Sequence, residues 1–211
     1  MIMSTFKILA VSNRQLCSNN FLEQIEKIAV AKPSGIILRE KDLMEEAYKM
    51  LALSVMEICQ AYGVRCILHS FVNVARDIGC RAVHLPLPVL KNEAANLREF
   101  EIIGASVHSI EEAIEAERAG ASYITAGHIF VTGCKQSLAP RGLTFLRNIS
   151  KKVHIPVYAI GGITPENTNE AVNAGAEGVC IMSGFMQCED PLKYMKSFKM
   201  NDSTKEESEI K

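Results

Sequence analysis

The sequence contains no tryptophan, and only 6% of its residues are aromatic. It also lacks an excess of charge of either sign, because 23 Lys and Arg residues stand against 24 Asp and Glu residues. A nucleic-acid backbone or an anionic membrane surface is bound through an excess of basic residues. We therefore expect no nucleic-acid partner and no membrane partner, and we expect any bound phosphate to be held by a local site.

Cysteine pairs and long apolar runs are also missing. The seven cysteines are an odd number without a Cys-x-x-Cys pair, and no apolar run approaches the length of a bilayer span. The first residues, Met1 to Phe6, are too short and too mixed for a cleavable signal segment. These features predict a cytoplasmic protein with reduced thiols, most of them acting as small buried apolar side chains.

What the chain does contain is a regular alternation of short β-branched runs with longer amphipathic runs, which is typical of βα units on a parallel sheet. Eight runs are predicted as strands: Lys7 to Ser12, Gly35 to Leu38, Arg65 to Leu68, Ala82 to Leu85, Ile102 to Ser106, Ser122 to Thr125, Pro156 to Ile160 and Gly178 to Met182. This number in about 200 residues predicts a single α/β domain, a (β/α)₈ TIM barrel over residues 1–200, with a polar C-terminal tail at 201–211. An open doubly wound sheet remains the alternative, because periodicity does not show whether the sheet closes.

The residues that follow the predicted strands are the candidates for a site, because barrel enzymes place their sites at the carboxyl ends of strands. Paired glycines, Gly161 and Gly162, follow the seventh strand, and Met182 and Ser183 follow the eighth. Glycines let a backbone approach a ligand, and the helix starts beyond them offer free amides to an anion. These two loops predict a phosphate site, although glycines needed only for tight turns are the alternative.

Charged and titratable side chains follow two further strands. Arg39 and Lys41 follow the second strand, where they can bind a phosphate or carboxylate, unless Arg39 to Asp42 is only a solvated turn with Asp42 capping the next helix. His128 follows the sixth strand, where a neutral imidazole can take and return a proton. We expect His128 to be catalytic and expect His84 to be structural, since His84 is embedded in an apolar run.

The sequence resembles the thiamine phosphate synthase and TenI-like superfamily from Lys7 to about Met200. The matching stretches occur in the same order: Leu38 to Lys41, Val83 to Leu85, Gly104 to Ser109 with Glu111 to Ala113, the loop of the sixth strand to Lys135, Ala159 to Ile163, and Met182 to Gly184. The resemblance implies a (β/α)₈ barrel, a role in thiamine biosynthesis and a phosphorylated thiazole as the small-molecule ligand. It also implies that Ser106, Thr132 and Lys135 contribute to substrate binding.

The superfamily contains two activities, and the sequence departs from the synthase pattern. The synthase joins a pyrimidine diphosphate to thiazole phosphate with Mg²⁺, and its pattern has acidic residues after the third and fourth strands. Here those places hold His69-Ser70 and Pro86 to Val89. Hard Mg²⁺ prefers oxygen ligands such as carboxylates. The glycine-histidine pair Gly127-His128 instead resembles the TenI-type thiazole tautomerase.

The sequence therefore predicts an isomerase that aromatises the carboxythiazole phosphate product of thiazole synthase, with His128 carrying the proton. This prediction includes no metal site and no cofactor, and it excludes useful synthesis of thiamine phosphate. A divergent Mg²⁺-dependent thiamine phosphate synthase and a non-catalytic regulator that binds thiazole phosphate are the alternatives. A homo-oligomer is possible with any of the three.

Overall fold

Eight parallel strands pair in chain order and close into a barrel. The computed structural model describes residues 6–133 and 138–203. The strands are β1 (Lys7–Val11), β2 (Gly35–Leu38), β3 (Cys66–His69), β4 (Ala82–Pro86), β5 (Ile102–Val107), β6 (Tyr123–Gly127), β7 (Val157–Ile160) and β8 (Gly178–Ile181). The pairing of β1 with β8, in which Ile8 lies opposite Val179, completes the ring. The predicted (β/α)₈ barrel is confirmed, and the open sheet is excluded.

Helices connect the strands and cover the outside of the barrel. They are α1 (Phe21–Val30), α2 (Glu45–Tyr62), α3 (Val72–Asp77), α4 (Leu87–Glu93), α5 (Ile110–Arg118), α6 (Gly142–Ser150), α7 (Thr168–Asn173), α8 (Ser183–Gln187) and α9 (Pro191–Ser203). The last of these extends past residue 200, and residues 204–211 of the predicted tail lie outside the described part of the chain. None of the described helices combines the length and the hydropathy that a membrane span requires.

The apolar core has two parts because successive side chains of a strand point to opposite faces. Side chains such as Leu9, Ile37 and Ile67 fill the barrel interior. Their neighbours in sequence, such as Ile36 and Leu38, belong to the larger cluster that includes residues of the surrounding helices. Because both faces of each strand are buried, the strands are continuously apolar, which is why the sequence located them well.

The connection after β2 differs from the prediction. Asp42 does not cap α2: the N-cap residue is Met44, which has no side-chain cap hydrogen bond. Both carboxylate oxygens of Asp42 instead accept from the guanidinium of Arg14, at 2.6 and 2.5 Å. A short acidic residue just before a helix is typical of an N-cap. Here the guanidinium of Arg14, from the loop after β1, is a stronger, charge-assisted partner for the Asp42 carboxylate than the backbone amides of the helix.

Tyr48 of α2 joins the ends of β2 and β3. Its phenol Oη donates to the carbonyl of Leu38 at 2.7 Å and accepts from the amide of His69 at 3.0 Å. The Tyr48 side chain is fully buried, so neither backbone group can turn to water if the phenol is lost. This single side chain therefore satisfies two buried backbone groups at the edge where β2 and β3 end.

We predict that Tyr48→Phe lowers the free energy of unfolding by about 2 kcal/mol, because it leaves a buried carbonyl and a buried amide without partners. Urea denaturation of the purified variant measures this loss. The matched control is Tyr62→Phe on the same helix, where the phenol donates to the exposed carboxylate of Glu26 at 2.6 Å. A change within about 0.5 kcal/mol is expected there, and equal losses in the two variants would contradict the role given to Tyr48.

Candidate functional site

The predicted site residues that the structure describes lie along the carboxyl ends of the strands, at one mouth of the barrel. Arg39 directly follows β2, Ser106 is in β5, His128 follows β6, Gly161 follows β7, Met182 directly follows β8, and Ser183 begins α8. Strand direction is common to the whole barrel, so these residues share one rim although they are distant in sequence. Lys135 lies outside the described residues, as does its neighbour Cys134.

A column of four aromatic rings descends from this mouth into the barrel. His69 stacks on His84 with ring centroids 5.7 Å apart, His84 lies 5.5 Å from Tyr123, and Tyr123 contacts Tyr158 edge to face at 5.3 Å. Gly104 leaves room for the middle of this column. A Cβ atom there would approach Tyr123 to 2.3 Å and the Nδ1 atom of His84 to 2.4 Å. The column therefore requires glycine at that position.

Hydrogen bonds join the column to the side chain of Ser106. The Nδ1 atom of His84 lies 2.9 Å from the Oη of Tyr123, and its Nε2 atom lies 2.9 Å from the Oγ of Ser106. Burial raises the pKa of the Tyr123 phenol well above its usual value, so the phenol stays protonated and is able to donate to Nδ1. We infer that Nε2 then carries the hydrogen and donates to Ser106, whose own hydroxyl hydrogen is left to donate elsewhere.

Both histidines of the column are held in the neutral form. Burial lowers the pKa of His69 to about 2 and that of His84 to about 3, because an imidazolium loses its hydration there. The positive charges of Lys41 and Arg39 act in the same direction on both rings. The two cations, which follow β2 at the rim, thus add to the effect of burial in keeping both imidazoles uncharged.

The loops after β6 and β7 are packed against each other through the paired glycines. The amide of Phe130 donates to the carbonyl of Gly161 at 3.0 Å, and both glycines have positive φ, 95° at Gly161 and 68° at Gly162. A Cβ atom on Gly161 would meet the Cβ of His128 at 2.3 Å, and one on Gly162 would meet the carbonyl oxygen of Val131 at 2.4 Å. The glycines thus hold the loop that carries Thr132 close to β7.

Comparison with known proteins gives the chain a family. The sequence profile described as thiamine monophosphate synthase matches residues 8–185. The thiamine-phosphate synthase of Clostridium acetobutylicum is 32% identical over 95% of this chain and 98% of its own length, and the putative thiamine-phosphate synthase 2 of Aquifex aeolicus is 36% identical over 86% and 98%. The solved thiamine phosphate pyrophosphorylase from Pyrococcus furiosus superposes with a TM-score of 0.79 at 30% identity, covering 94% of this chain and 96% of that chain.

The chain belongs to the thiamine monophosphate synthase family. This confirms the superfamily and the connection to thiamine biosynthesis that the resemblance implied. The prediction of a thiazole tautomerase is wrong, because relatives at 30% to 36% identity over most of the chain are named thiamine-phosphate synthase. The prediction that the protein makes no thiamine phosphate was part of the same interpretation and loses its basis with it.

His128, the proton carrier of the tautomerase interpretation, is held within the loop that follows β6. Its side chain is 5% exposed, and its Nε2 atom lies 3.2 Å from the carbonyl oxygen of Leu138, an arrangement that requires Nε2 to donate. Its Cβ packs against the backbone of Gly161. Met182 packs against the apolar cluster of the barrel interior. A role for either side chain in contact with substrate stays a prediction.

The acidic side chains near β2 do not present a magnesium site. Within residues 6–133 and 138–203, no group of three or more His, Cys, Asp or Glu side chains could hold a metal ion. Glu40 accepts hydrogen bonds from Ser12 and Arg14, and Asp42 is paired with Arg14. Among the described residues, Glu40 and Asp42 are thus already engaged by donors and do not form a ready-made protein ligand set for Mg²⁺.

Sequence reasoning missed the importance of His69 and Tyr123 and gave His84 only a structural role. The sequence does contain a signal for this cluster, because side chains along a strand alternate between the inside and the outside of the barrel. The polar residues at inward positions are His84, Ser106, Tyr123 and Thr125. Polar residues at inward positions of neighbouring strands predict a hydrogen-bonded cluster. Thr125 belongs to it as well, with its Oγ1 atom 3.3 Å from Nε2 of His84.

The neutral histidines predict a pH dependence of stability. Their folded-state pKa values lie below the ordinary value of about 6.5, so between pH 6.5 and about pH 3 the unfolded chain binds protons that the folded chain does not. Stability therefore falls as pH falls through this window, by about 1.4 kcal/mol per pH unit for each such histidine. Denaturant unfolding at a series of pH values measures the slope, and His69→Asn is expected to reduce it. A variant slope equal to that of the parent protein would contradict the assignment.

The control for this measurement is His154→Asn. The side chain of His154 is 96% exposed, so its replacement removes an imidazole of the same chemistry without disturbing the buried column. We expect the slope to be retained in this variant.

Proposed function

We propose that this protein is a thiamine-phosphate synthase, a transferase that joins a pyrimidine diphosphate to thiazole phosphate and releases pyrophosphate. The observation that carries the proposal is the similarity to proteins of this name, which reaches 32% identity over 95% of the chain. The arrangement of charge at the barrel mouth supports it. A diphosphate leaving group needs positive charge beside it, and Arg39 and Lys41 provide two cations there.

In this reaction the bond between the pyrimidine methylene carbon and the diphosphate oxygen breaks, and the thiazole nitrogen forms a bond to the same carbon. Negative charge accumulates on the departing diphosphate. The guanidinium of Arg39 can donate two parallel hydrogen bonds to its oxygens, whereas Lys41 acts as a compact charge. Stabilisation that grows with the developing charge lowers the barrier of the bond-breaking step.

The column beneath the cations provides orientation and does not supply a proton. His69 and His84 stay uncharged near neutral pH, because burial lowers the pKa of both. In the His84 tautomer inferred above, Ser106 accepts from Nε2 and keeps its own hydrogen to donate to a substrate oxygen. We therefore assign Ser106 a binding role at the diphosphate, and assign His84 and Tyr123 the role of fixing the direction in which that hydroxyl donates.

The phosphate of the thiazole substrate is proposed to bind at the opposite side of the mouth, between the loops after β7 and β8. The backbone at Gly161 and Gly162 has positive φ, and Ser183 begins α8. Backbone amides in such loops are common anion donors. Thr132 and Lys135, which the family resemblance implies as substrate contacts, belong to the loop after β6.

The synthase activity is tested by incubating the purified protein with the pyrimidine diphosphate and thiazole phosphate, with and without added magnesium salt, and measuring thiamine phosphate and pyrophosphate. Both products are expected in equal amounts. Arg39→Gln is expected to lower kcat/KM by about a hundredfold, because a charged donor to the leaving group is lost. The control Arg118→Gln removes an exposed arginine at the end of α5 and is expected to retain activity. A protein that forms neither product would refute the proposal.

The thiazole phosphate site is tested at Gly162. We predict that Gly162→Ala weakens binding of thiazole phosphate, measured by calorimetry, by about tenfold, because the new Cβ would displace Val131 and with it the loop that carries Thr132. Gly63→Ala is a matched control: Gly63 has φ of 65°, close to the 68° of Gly162, but a Cβ there meets nothing within 4 Å. Both variants place alanine at a similar positive φ, so a similar loss of binding in both would show that loop packing is not the cause.

A further inference from the structure

Glu40 is an acidic residue placed between the two cations that are proposed to bind an anion. Its side chain is 1% exposed, whereas Arg39 is half-buried and Lys41 is exposed. Strand alternation explains this difference, because residues 39 and 41 continue the inward face of β2 and residue 40 continues its outward face. Glu40 is therefore directed into the space between the ends of β1 and β2, away from the substrate.

The carboxylate of Glu40 is surrounded by donors from the loop after β1. The hydroxyl of Ser12 donates to Oε1 at 2.6 Å, the amide of Arg14 lies 3.1 Å from both oxygens, and Nη1 of Arg14 donates to Oε2 at 3.2 Å. The Oγ of Ser12 in turn accepts from the amide of Arg39 at 2.8 Å. A buried carboxylate with this many donors is fixed in place, and it fixes the backbone to which it is attached.

We propose that Glu40, acting through Ser12, is the positioning residue for Arg39 and Lys41. The proposal rests on the proposed function for the identity of the anion, a diphosphate, and it goes further by assigning a residue that does not touch it. Because Glu40 lies between the two cations in the chain, the anchoring of its side chain on one face sets the direction of both cationic side chains on the other. Ser12 couples this anchor directly to the amide of Arg39.

This role and a simple charge effect have opposite consequences. Glu40→Gln removes a negative charge next to an anion site, so the charge effect alone predicts tighter binding of an anion. The positioning role predicts weaker binding, because a carboxamide has to place an NH₂ group among the donors of Ser12 and Arg14. In a variant that is fully folded under the conditions of the measurement, the direction of the change in affinity therefore separates the two explanations.

The test is calorimetric binding of inorganic pyrophosphate to the full chain. Glu40→Gln is expected to weaken binding about tenfold, and the control Asp42→Asn, which removes the other carboxylate bound to Arg14, is expected to bind equally or more tightly. Ser12→Ala, which keeps every charge but removes the link to the Arg39 amide, is also expected to bind more weakly and decides the matter if Glu40→Gln does not fold. The proposal is overturned if folded Glu40→Gln binds pyrophosphate as tightly as the parent protein or more tightly. If Glu40→Gln does not fold, unchanged binding in Ser12→Ala overturns it instead. It is also overturned if the parent protein does not bind pyrophosphate.

Pyrophosphate binding needs no turnover, so the inference and the proposed function fail independently. A protein that makes thiamine phosphate but whose Glu40→Gln variant binds pyrophosphate normally keeps its function and loses this inference. Where turnover is present, the KM for the pyrimidine diphosphate is expected to rise in Glu40→Gln while the KM for thiazole phosphate is retained. A purely structural defect would not separate the two substrates in this way.

Discussion

Closure of the sheet by the pairing of β1 with β8 is the constraint on which the site depends. Once the ring is closed, all strands end at one rim, and side-chain alternation sends every second residue into the barrel. Residues from distant parts of the chain, such as Arg39, His69 and Ser106, therefore meet at one mouth. The same alternation sends Glu40 to the outer face, so that a residue next to Arg39 in sequence can anchor the strand end without competing for the substrate.

The sequence predicted the barrel and its strands well because burial on both faces makes each strand a continuous apolar run. β2 was predicted with its observed bounds, Gly35–Leu38. The sequence was a poorer guide to features that depend on contacts between residues distant in the chain. Asp42 pairs with Arg14 instead of capping a helix, and His84 bonds Tyr123 from a strand 39 positions further along. Helix α8, with five residues, is too short to produce a periodic signal.

The tautomerase interpretation failed because it judged single positions by residue type. His128 was chosen for its acid-base chemistry and its place after a strand, but a histidine at such a place is also used to hold a loop. Its Nε2 atom lies 3.2 Å from a backbone carbonyl, and its Cβ packs on Gly161. Likewise, His69 and Ser70 were weighed as lost acids, whereas the structure shows His69 as the upper ring of a buried column. Similarity over the whole chain compares all positions at once, and it favours the synthase over the tautomerase.

At the mouth of the barrel, charged side chains lie at the rim and uncharged ones lie in the interior. The interior column is uncharged, since burial makes protonation of His69 and His84 unfavourable, and the phenol of Tyr123 keeps its proton for the same reason. At the mouth, the positive charges of Arg39 and Lys41 lie at the rim, where Arg39 is partly exposed and Lys41 is exposed. A low-dielectric interior beneath the rim limits the screening of these cations from below, so an anion at the mouth interacts with them more strongly than at an open surface. Glu40 is an exception, because it is a charged residue with a buried side chain. Its burial is tolerated because Ser12 and Arg14 donate hydrogen bonds to its oxygens on the outer side of the strand.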